Sequence, residues 1–398
     1  MIDIKNKVEC CGCSACKEIC PKQCIEMLVD EEGFLYPNID KELCVACNLC
    51  ERVCPIINCI KEKKVEQRAF LAKHEDAKVR VESTSGGAFT SLAKFVLDKK
   101  GVVFGAGFDD DFNVKHMYVE NEADLAIFRN SKYVQSNIDG SYGKVKEFLE
   151  QDRWVCFSGT PCQVEGLYHF LQKSYERLLL VDITCHAVPS PLVWNKYKEY
   201  CKPTTDAKLI EAKFRSKEKY GYQYSQMCMK YDNGYNRYSG VESDPYLRAF
   251  FSDLSDRPSC YDCIFKKRYR VSDVTIWDCF DVYRIDKQFD DNQGVTRILA
   301  HTEKGATISS KLENCTVVEI SPEVAVEGVK ELTHSVELNP NRKEFFEDFL
   351  RMETKEVFEK WFPDTIKVRI ERVGRYACER MGIYRIVKRI ARKMLGKE

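Results

Sequence analysis

The stretches CCGCSACKEICP at residues 10–21 and CVACNLCERVCP at residues 44–55 decide the first part of the fold. Each has cysteines separated by two, two and three residues, with proline after the fourth cysteine, and the copies begin 34 residues apart. Cysteines spaced in this way wrap one face of a cubane cluster, and in two-cluster proteins the fourth cysteine ligates the cluster of the other repeat. The spacing therefore predicts two 4Fe-4S clusters.

The cysteines divide between the two clusters by repeat. We assign the first cluster to Cys10, Cys13, Cys16 and Cys54, and the second to Cys44, Cys47, Cys50 and Cys20. Zinc is the alternative, although it is usually held by separated Cys-x2-Cys pairs. Cys11, Cys24 and Cys59 fall outside the repeat and are expected to be packing residues. With a turn and short strand at residues 30–37, the segment resembles bacterial dicluster ferredoxins over about residues 1–60.

The composition of the whole chain excludes some classes of partner. Its 398 residues include 62 Lys or Arg and 62 Asp or Glu, so the net charge is zero and we expect no nucleic-acid partner. The start lacks the apolar core of a signal peptide, and no uncharged apolar run approaches the roughly 18 residues of a membrane span. We therefore expect a cytoplasmic protein, in which 21 cysteines indicate metal or redox chemistry rather than disulfides.

A larger domain is predicted after a charged linker at residues 61–64. Short apolar runs, several of which adjoin segments of helical period, predict a mainly parallel sheet in a mixed α/β domain. Asp232-Asn233-Gly234 predicts a hairpin within an antiparallel excursion near residues 208–240. The predicted domains are an α+β dicluster ferredoxin module (residues 1–62), a mixed α/β domain (65–322, in two parts divided at about residue 150) and a helical tail (323–398).

Three strand-to-helix turns carry unusual residues, at the position where open α/β sheets bind ligands. The sequence Ser83-Thr84-Ser85-Gly86-Gly87 suits a phosphate or the edge of a flavin, although it is also an ordinary N-cap. Cys162 and Cys185 each follow a predicted strand, and with Cys260-x2-Cys263 they would supply four thiolates for a third 4Fe-4S cluster. The alternative is a buried structural cysteine at 162 or 185, with Cys260 and Cys263 acting as a dithiol.

Six ordered motifs resemble the coenzyme F420 hydrogenase/dehydrogenase beta-subunit family. They are Ser83-Thr84-Ser85-Gly86-Gly87, Lys132-Tyr133-Val134-Gln135-Ser136, Gly159-Thr160-Pro161-Cys162-Gln163, Cys185-His186, Cys260-x2-Cys263 and Ser272-Asp273-Val274-Thr275. With the ferredoxin module, the resemblance covers about residues 1–320. It implies FAD beside a 4Fe-4S cluster, and electrons that pass between a deazaflavin coenzyme and a partner. It also supports the third cluster, because relatives without the ferredoxin module keep the four matching cysteines.

The resemblance further implies which residues bind the flavin. These are Ser83, Thr84, Ser85, Gly86, Gly87, Lys132, Tyr133, Ser136, Gly159, Thr160, Pro161, Gln163, Asp273 and Thr275. Lys132 could neutralise a flavin phosphate or a reduced flavin, or be a surface lysine, and His186 could relay a proton or be a structural hydrogen-bonding group. Asp273 could orient the ribityl chain or cap a strand. Lys132 and His186 are the candidate catalytic residues.

These parts predict an iron–sulfur flavoprotein oxidoreductase, because a flavin exchanges two electrons as a hydride whereas each cluster carries one. Hydride would come from a coenzyme or small-molecule substrate, and electrons would pass through the inner cluster to the ferredoxin module and on to a redox carrier or partner enzyme. The reverse direction is equally allowed. The resemblance makes coenzyme F420 a candidate substrate, and many bacterial relatives accompany polysaccharide-building enzymes. The alternative is a flavin-free electron-transfer protein that connects a partner enzyme through its clusters.

The C-terminal residues form a basic amphipathic segment. From Lys367 to Glu398 there are 11 Lys or Arg against three Glu. The apolar face of the predicted helix contains Ile383, Ile386, Val387, Ile390, Met394 and Leu395. Such a helix can lie on an anionic membrane or dock a partner, or it can be a solvated helix packed on its own domain.

Overall fold

The computed structural model describes residues 1–394, which contain thirteen β-strands and fifteen α-helices. The strands are β1 (Ile25–Val29), β2 (Leu35–Ile39), β3 (Arg68–His74), β4 (Val102–Phe108), β5 (Val114–Val119), β6 (Val155–Gly159), β7 (Leu178–Ile183), β8 (Leu209–Ser216), β9 (Gln226–Tyr231), β10 (Asn236–Ser239), β11 (Val274–Asp278), β12 (Thr296–Ala300) and β13 (Cys315–Ile320). The helices are α1 (Ala15–Glu18), α2 (Leu49–Arg52), α3 (Ala77–Glu82), α4 (Ala88–Leu97), α5 (Ser141–Glu150), α6 (Pro161–Leu171), α7 (Pro191–Cys201), α8 (Pro245–Phe251), α9 (Val282–Ile285), α10 (Glu303–Ser309), α11 (Pro322–Val326), α12 (Arg342–Arg351), α13 (Thr354–Trp361), α14 (Ile366–Arg380) and α15 (Tyr384–Met394).

The N-terminal module has one short helix per cysteine repeat and a hairpin between the repeats. Strands β1 and β2 pair antiparallel, which confirms the turn and strand predicted at residues 30–37. The Asp30 carboxylate accepts hydrogen bonds from the backbone N of Glu32 (3.0 Å) and of Phe34 (2.8 Å), and so closes the turn. Gly33 has φ of +87°, and a Cβ there would lie 2.6 Å from the backbone N of Leu192 in the next domain. Glycine is therefore required both by the turn and by the close approach.

The second domain is mixed α/β, as predicted, and is built on one eight-stranded sheet with the order β13-β3-β12-β11-β7-β6-β4-β5. The prediction of a mainly parallel sheet is wrong for the sheet as a whole. Strands β4, β6, β7 and β11 run parallel, but the other four strand pairs are antiparallel. Strands β4 and β5 are joined by a short turn at residues 109–113, which leaves no room for a crossover, so these neighbours pair in the antiparallel sense.

Alternate residues of the central strands face two different hydrophobic cores. On one face, Phe104, Phe157 and Leu180 pack with α5 and α6, and the other face packs against α4 and α10. This two-layered cover explains why the central strands are apolar along their whole length. The predicted division at about residue 150 lies between strands of one sheet, and the predicted domain boundaries stay predictions.

The antiparallel excursion near residues 208–240 is confirmed as a separate three-stranded sheet with the order β10-β9-β8. The predicted hairpin joins β9 to β10, with Gly234 at φ of +83° and the Tyr231 amide bonded to the Tyr235 carbonyl at 3.0 Å. This sheet packs with α7, α8, α12 and α13 in the largest aromatic core, where Phe345, Phe349 and Phe358 are fully buried or nearly so. The helical character predicted for the C-terminal part is thereby confirmed.

Buried hydrogen bonds hold the N-terminal module against the large domain. The guanidinium of Arg257, which is 1% exposed, donates to the carbonyl O of Cys10 (2.8 Å), the carbonyl O of Leu35 (2.9 Å) and Gln135 Oε1 (2.9 Å). The Glu18 carboxylate accepts a 2.7 Å bond from the Gly143 amide in the first turn of α5. Together these contacts hold the module in one place on the large domain.

The last two helices, α14 and α15, expose most of their apolar side chains. Ile370 (68%), Val373 (64%), Ile386 (56%), Ile390 (55%) and Met394 (82%) are among the most exposed apolar residues. The opposite sides of the two helices pack on the domain through Tyr376 and Tyr384, whose rings contact Tyr224. Leu395, which we predicted on the same apolar face, lies outside the described residues. No helix within residues 1–394 is long and apolar enough to cross a membrane.

Candidate functional site

The structure brings together the first predicted set of cluster ligands. The start of α1 carries Cys16 into the interior, where burial raises the pKa of its thiol and the Cys10 and Cys54 thiols add to the effect. Cys13 lies beside Cys16 and Cys54. The cysteine of the second repeat thus joins those of the first, as the crossed assignment requires.

The second predicted set lines one small cavity. Cys20, Cys44, Cys47 and Cys50 all border it, and Cys47 is exposed. Cys24, which we expected to be a packing residue, also borders the cavity, and its Sγ lies 3.4 Å from that of Cys20. The two sets adjoin. Cys50 of the second set is close enough to Cys16 and Cys54 of the first to raise the pKa of both thiols.

The third predicted set forms where two parallel strands end. Cys162 follows β6 at the start of α6, Cys185 follows β7, and Cys260 and Cys263 come from a loop placed against them. Burial raises the pKa of Cys185 to about 12, with the neighbouring Cys162 and Cys263 thiols acting in the same direction. Burial and the Cys185 thiol likewise raise the pKa of Cys260. Four crowded thiols, one on a buried cysteine and three on half-buried ones, suit an iron–sulfur cluster, because cationic iron stabilises the thiolate form that burial opposes.

Cys11 connects the first and third sets. Its thiol is close enough to Cys13 and to Cys162 for both to affect its pKa, and it raises the pKa of Cys162 in turn. Helix α6 presents Gly166 at this point, and a Cβ there would lie 3.0 Å from Cys13 Cβ and 3.1 Å from Cys13 Sγ. Because no side chain separates α6 from Cys13, the two sets of thiols are neighbours across the module boundary. Cys11 lies outside the cysteine repeat, so the repeat spacing did not predict this position.

A cavity of about 1550 Å³ opens at the carboxyl ends of the parallel strands. It exceeds the size usual for a single drug-sized ligand. Ten of the predicted flavin residues line it: Ser83, Thr84, Ser85, Gly87, Lys132, Tyr133, Ser136, Gly159, Thr160 and Gln163. Cys185 and His186 also line it, so the cavity adjoins the third set of thiols. Gly86 and Pro161 belong to the same loops but do not line the cavity described in residues 1–394.

Asp273 and Thr275 lie away from this cavity, in structural hydrogen bonds. Asp273 Oδ2 accepts from the Leu180 amide (2.8 Å), and its Oδ1 accepts from Thr302 Oγ1 (2.7 Å). Thr275 Oγ1 donates to Asp182 Oδ1 at 2.5 Å and is fully buried. Both residues hold strand β11 and its neighbours together, which is the strand-capping alternative for Asp273.

The two candidate catalytic residues lie at the cavity wall in different environments. The Lys132 ammonium donates to the carbonyl O of Ile127 (2.7 Å) and of Arg129 (3.0 Å), and burial lowers its pKa to about 7. His186 Nε2 lies 2.9 Å from Asp253 Oδ1, which fixes the orientation of the imidazole ring. Both side chains are therefore held in place rather than free at the surface.

Basic residues from distant segments, which no sequence motif predicted, also line the cavity. Arg215 on β8 contacts Ser225, Tyr133 and Asp278, yet its buried Nη2 has no hydrogen-bond partner in the described structure. Arg297 on β12 likewise has a buried Nε without a partner among the described residues. Guanidinium groups with unused donors suit an anionic ligand such as a phosphate. No local motif marks these residues, because they come from separate sheets.

Helices α14 and α15 complete the wall on one side. Arg375, Tyr384 and Lys388 line the cavity, and the Lys388 ammonium donates to the Gln223 carbonyl at 2.7 Å. The C-terminal segment thus covers part of the candidate site, a contact that its sequence did not predict.

Two family models match the chain at the places where this geometry lies. The model of the C-terminal part of the beta subunit of coenzyme F420 hydrogenase/dehydrogenase matches residues 152–326, which include all four thiols of the third set. Residues 152–326 belong to this family. The model of a 4Fe-4S binding domain matches residues 37–56, which contain the second cysteine repeat. The chain is therefore an iron–sulfur electron-transfer protein of oxidoreductase type, as the resemblance predicted.

One solved structure is weakly similar to most of the chain. A chain of the F420-reducing NiFe hydrogenase complex from Methanosarcina barkeri, from a xenon-derivatised structure, is 14% identical, with a TM-score of 0.43. The match covers 76% of the present chain and 94% of that chain. None of the curated proteins matches the chain.

Proposed function

We propose that this protein is an iron–sulfur flavoprotein oxidoreductase that moves electrons between a hydride carrier or small-molecule substrate and three 4Fe-4S clusters. One observation carries the proposal: cysteine thiols form a continuous series from the cavity to the module surface. The series begins at Cys185 on the cavity wall, passes through Cys162, Cys11 and Cys13, and ends at the exposed Cys47. Such a series would let electrons pass in steps between a ligand in the cavity and an external partner.

The chain offers a matching donor set for each cluster. Cys10, Cys13, Cys16 and Cys54 would hold the first, Cys20, Cys44, Cys47 and Cys50 the second, and Cys162, Cys185, Cys260 and Cys263 the third. Cys11 remains a thiol between the first and third clusters. Glycine at position 166 keeps this passage short, because any larger residue would push Cys13 away from α6.

The cavity is proposed to bind FAD, which would exchange a hydride with substrate and single electrons with the third cluster. The loop of residues 83–87 at the start of α4 would receive a phosphate through backbone amides and the helix dipole. The unpaired Nη2 of Arg215 would donate to a second anionic group. The volume beyond FAD would admit the substrate, for which coenzyme F420 is one candidate because of the family's name. A polysaccharide-biosynthesis setting rests on the resemblance alone.

Lys132 would supply or accept a proton at the cavity wall. Because burial lowers its pKa to about 7, it exchanges a proton near neutral pH, which an exposed lysine does not do. His186 would be held by Asp253 beside the same wall. We propose proton transfer for Lys132 and a proton relay for His186, because both side chains line the cavity.

The test is the cofactor content of anaerobically purified protein. Iron and acid-labile sulfide near twelve each per chain, with one FAD released on denaturation, would support the proposal. Reduction by a substrate should then bleach the flavin before the clusters. About eight irons and no flavin, in a protein reducible only by an external carrier, would favour the flavin-free electron-transfer protein instead. Zinc in place of iron would overturn both.

We further propose that residues 367–398 dock on an anionic membrane. The exposed apolar residues of α14 and α15 are accompanied by a large excess of basic over acidic residues, the pattern of an interfacial helix. Vesicles containing phosphatidylglycerol should sediment the protein, whereas phosphatidylcholine vesicles should not. Ile386→Glu should abolish sedimentation, and Leu338→Glu, at an apolar residue 62% exposed elsewhere, should not. Equal behaviour of the two variants, or capture by a redox partner but never by vesicles, would contradict membrane docking.

A further inference from the structure

A second group of potential metal ligands lies beside the third set of thiols. Residues 188–190 and 255–257 run alongside each other, joined by backbone hydrogen bonds of 2.8 and 2.9 Å. This pairing brings His186, just after β7, next to Asp253 and Asp256, just before the Cys260 loop. One imidazole nitrogen and one oxygen from each carboxylate lie within 4.8 Å of one another.

Asp256 is the unusual member of this group. Its side chain is fully buried, and neither carboxylate oxygen has a hydrogen-bond partner in the described structure. Burial, and then the neighbouring Asp253 carboxylate, raise its pKa well above the ordinary value. An unpaired carboxylate at such a position is costly, and a second carboxylate beside it adds to the cost.

Two nearby cations, Arg342 and Lys266, lower the pKa of Asp256 through space, but neither donates a hydrogen bond to its carboxylate. The Arg342 guanidinium donates to the carbonyl O of Asp256 (3.1 and 2.8 Å) and to the Glu32 carboxylate, not to the Asp256 side chain. The Lys266 ammonium donates to the carbonyl oxygens of Cys185 and His186. Among the described residues, His186 Nε2 is therefore the hydrogen-bond donor at this site. It reaches Asp253 Oδ1, and no donor in residues 1–394 reaches either carboxylate oxygen of Asp256.

We propose that His186, Asp253 and Asp256 bind one divalent cation of the zinc, manganese or ferrous type. One imidazole and two carboxylates form a donor set that these ions accept. The 2.9 Å between His186 Nε2 and Asp253 Oδ1 suits two donors on one ion, since ligands bound at about 2.1 Å lie roughly 3 Å apart. A 2+ ion also balances the two carboxylate charges, which explains how Asp256 can be buried beside Asp253.

The position of the ion would give it access to the cavity. His186 lines the cavity, whereas Asp256 is buried behind it. Three protein ligands leave a coordination position for water or for an oxygen of a substrate. The site would thus add a Lewis acid to the cavity wall next to Cys185, and it requires neither FAD nor the third cluster to be present.

The experiment measures metals and sulfide together in the anaerobically purified protein. Because a 4Fe-4S cluster contains equal iron and sulfide, iron beyond sulfide, zinc or manganese reports a separate site. We expect about one such ion per chain, lost in Asp256→Asn with sulfide unchanged. Asp262→Asn, at an exposed carboxylate between Cys260 and Cys263, should keep the ion. Mn²⁺ titrated onto EDTA-dialysed protein of verified sulfide content, with free Mn²⁺ followed by EPR, should bind at least about a hundredfold more weakly in Asp256→Asn.

The opposite result is equally clear. If the two carboxylates instead share a proton, iron will equal sulfide, no other metal will be stoichiometric, and Asp256→Asn will bind Mn²⁺ like the wild type. That outcome overturns the proposal. Should Asp256→Asn lose sulfide through misfolding, Asp253→Asn, at a carboxylate 22% exposed, gives the same comparison. Failure of this metal site would leave the flavin proposal untouched, because flavin and cluster contents are measured in the same sample.

Discussion

We predict that Arg257 contributes most to the docking of the ferredoxin module on the large domain. The variant Arg257→Met tests this prediction. The wild-type guanidinium makes three buried hydrogen bonds, two of them to the carbonyl oxygens of Cys10 and Leu35 in the module. A hydrogen bond to a charged group contributes about 1.5–3 kcal/mol, and carbonyls left unpaired in the interior add a desolvation penalty. Because methionine fills part of the volume and the contributions are not additive, we expect the docked state to lose about 3–4 kcal/mol.

The assay is anaerobic hydrogen exchange followed by mass spectrometry. A loss of about 3–4 kcal/mol corresponds to an opening equilibrium roughly 100- to 1000-fold larger, so buried amides of residues 1–60 should exchange faster by that factor. Arg153→Met is the matched control, since Arg153 donates to the Lys100 carbonyl and the Glu120 carboxylate within the large domain. Unchanged exchange in the module, or the same increase in both variants, would refute the role of Arg257.

Three further predictions concern the clusters, the cavity and the pH dependence. Cys263→Ala should lower iron and sulfide by about four each per chain, whereas Cys201→Ala, at a buried cysteine of α7, should lower neither. Arg215→Met should weaken FAD retention by about tenfold, measured by fluorescence of released flavin, because an unused guanidinium donor is lost. Arg237→Met, on β10 of the same sheet and away from the cavity lining, should not. Burial raises the pKa of Glu18 from 4.5 to about 7, so the folded protein holds an extra proton between these values and its stability falls as the pH rises through them. Glu18→Gln should flatten that dependence in melting temperatures from pH 5 to 7; a slope equal to that of the wild type would assign it to another group.

Local patterns in the sequence predicted much of this protein, because the responsible interactions are local. The cysteine repeats, the turn at Asp30–Gly33 and the Asn233-Gly234 hairpin each depend on residues a few positions apart, and the structure has each of them. The turns after β6 and β7 also placed Cys162 and Cys185 correctly at one edge, since the carboxyl ends of adjacent parallel strands always meet there.

The tertiary structure alone decided which distant residues became neighbours. Cys11 gained its position from the docking of the module on α6, and Arg215 entered the cavity because a separate antiparallel sheet packs beside the large one. The antiparallel half of the large sheet was not predicted either. Hydrophobic periodicity indicates whether a strand is buried, but it does not indicate the direction of the neighbouring strand. The hydrophobic pattern of the last helices indicated an apolar face but not that this face would be exposed. Such contacts join residues that are far apart in the chain, and no local spacing encodes them.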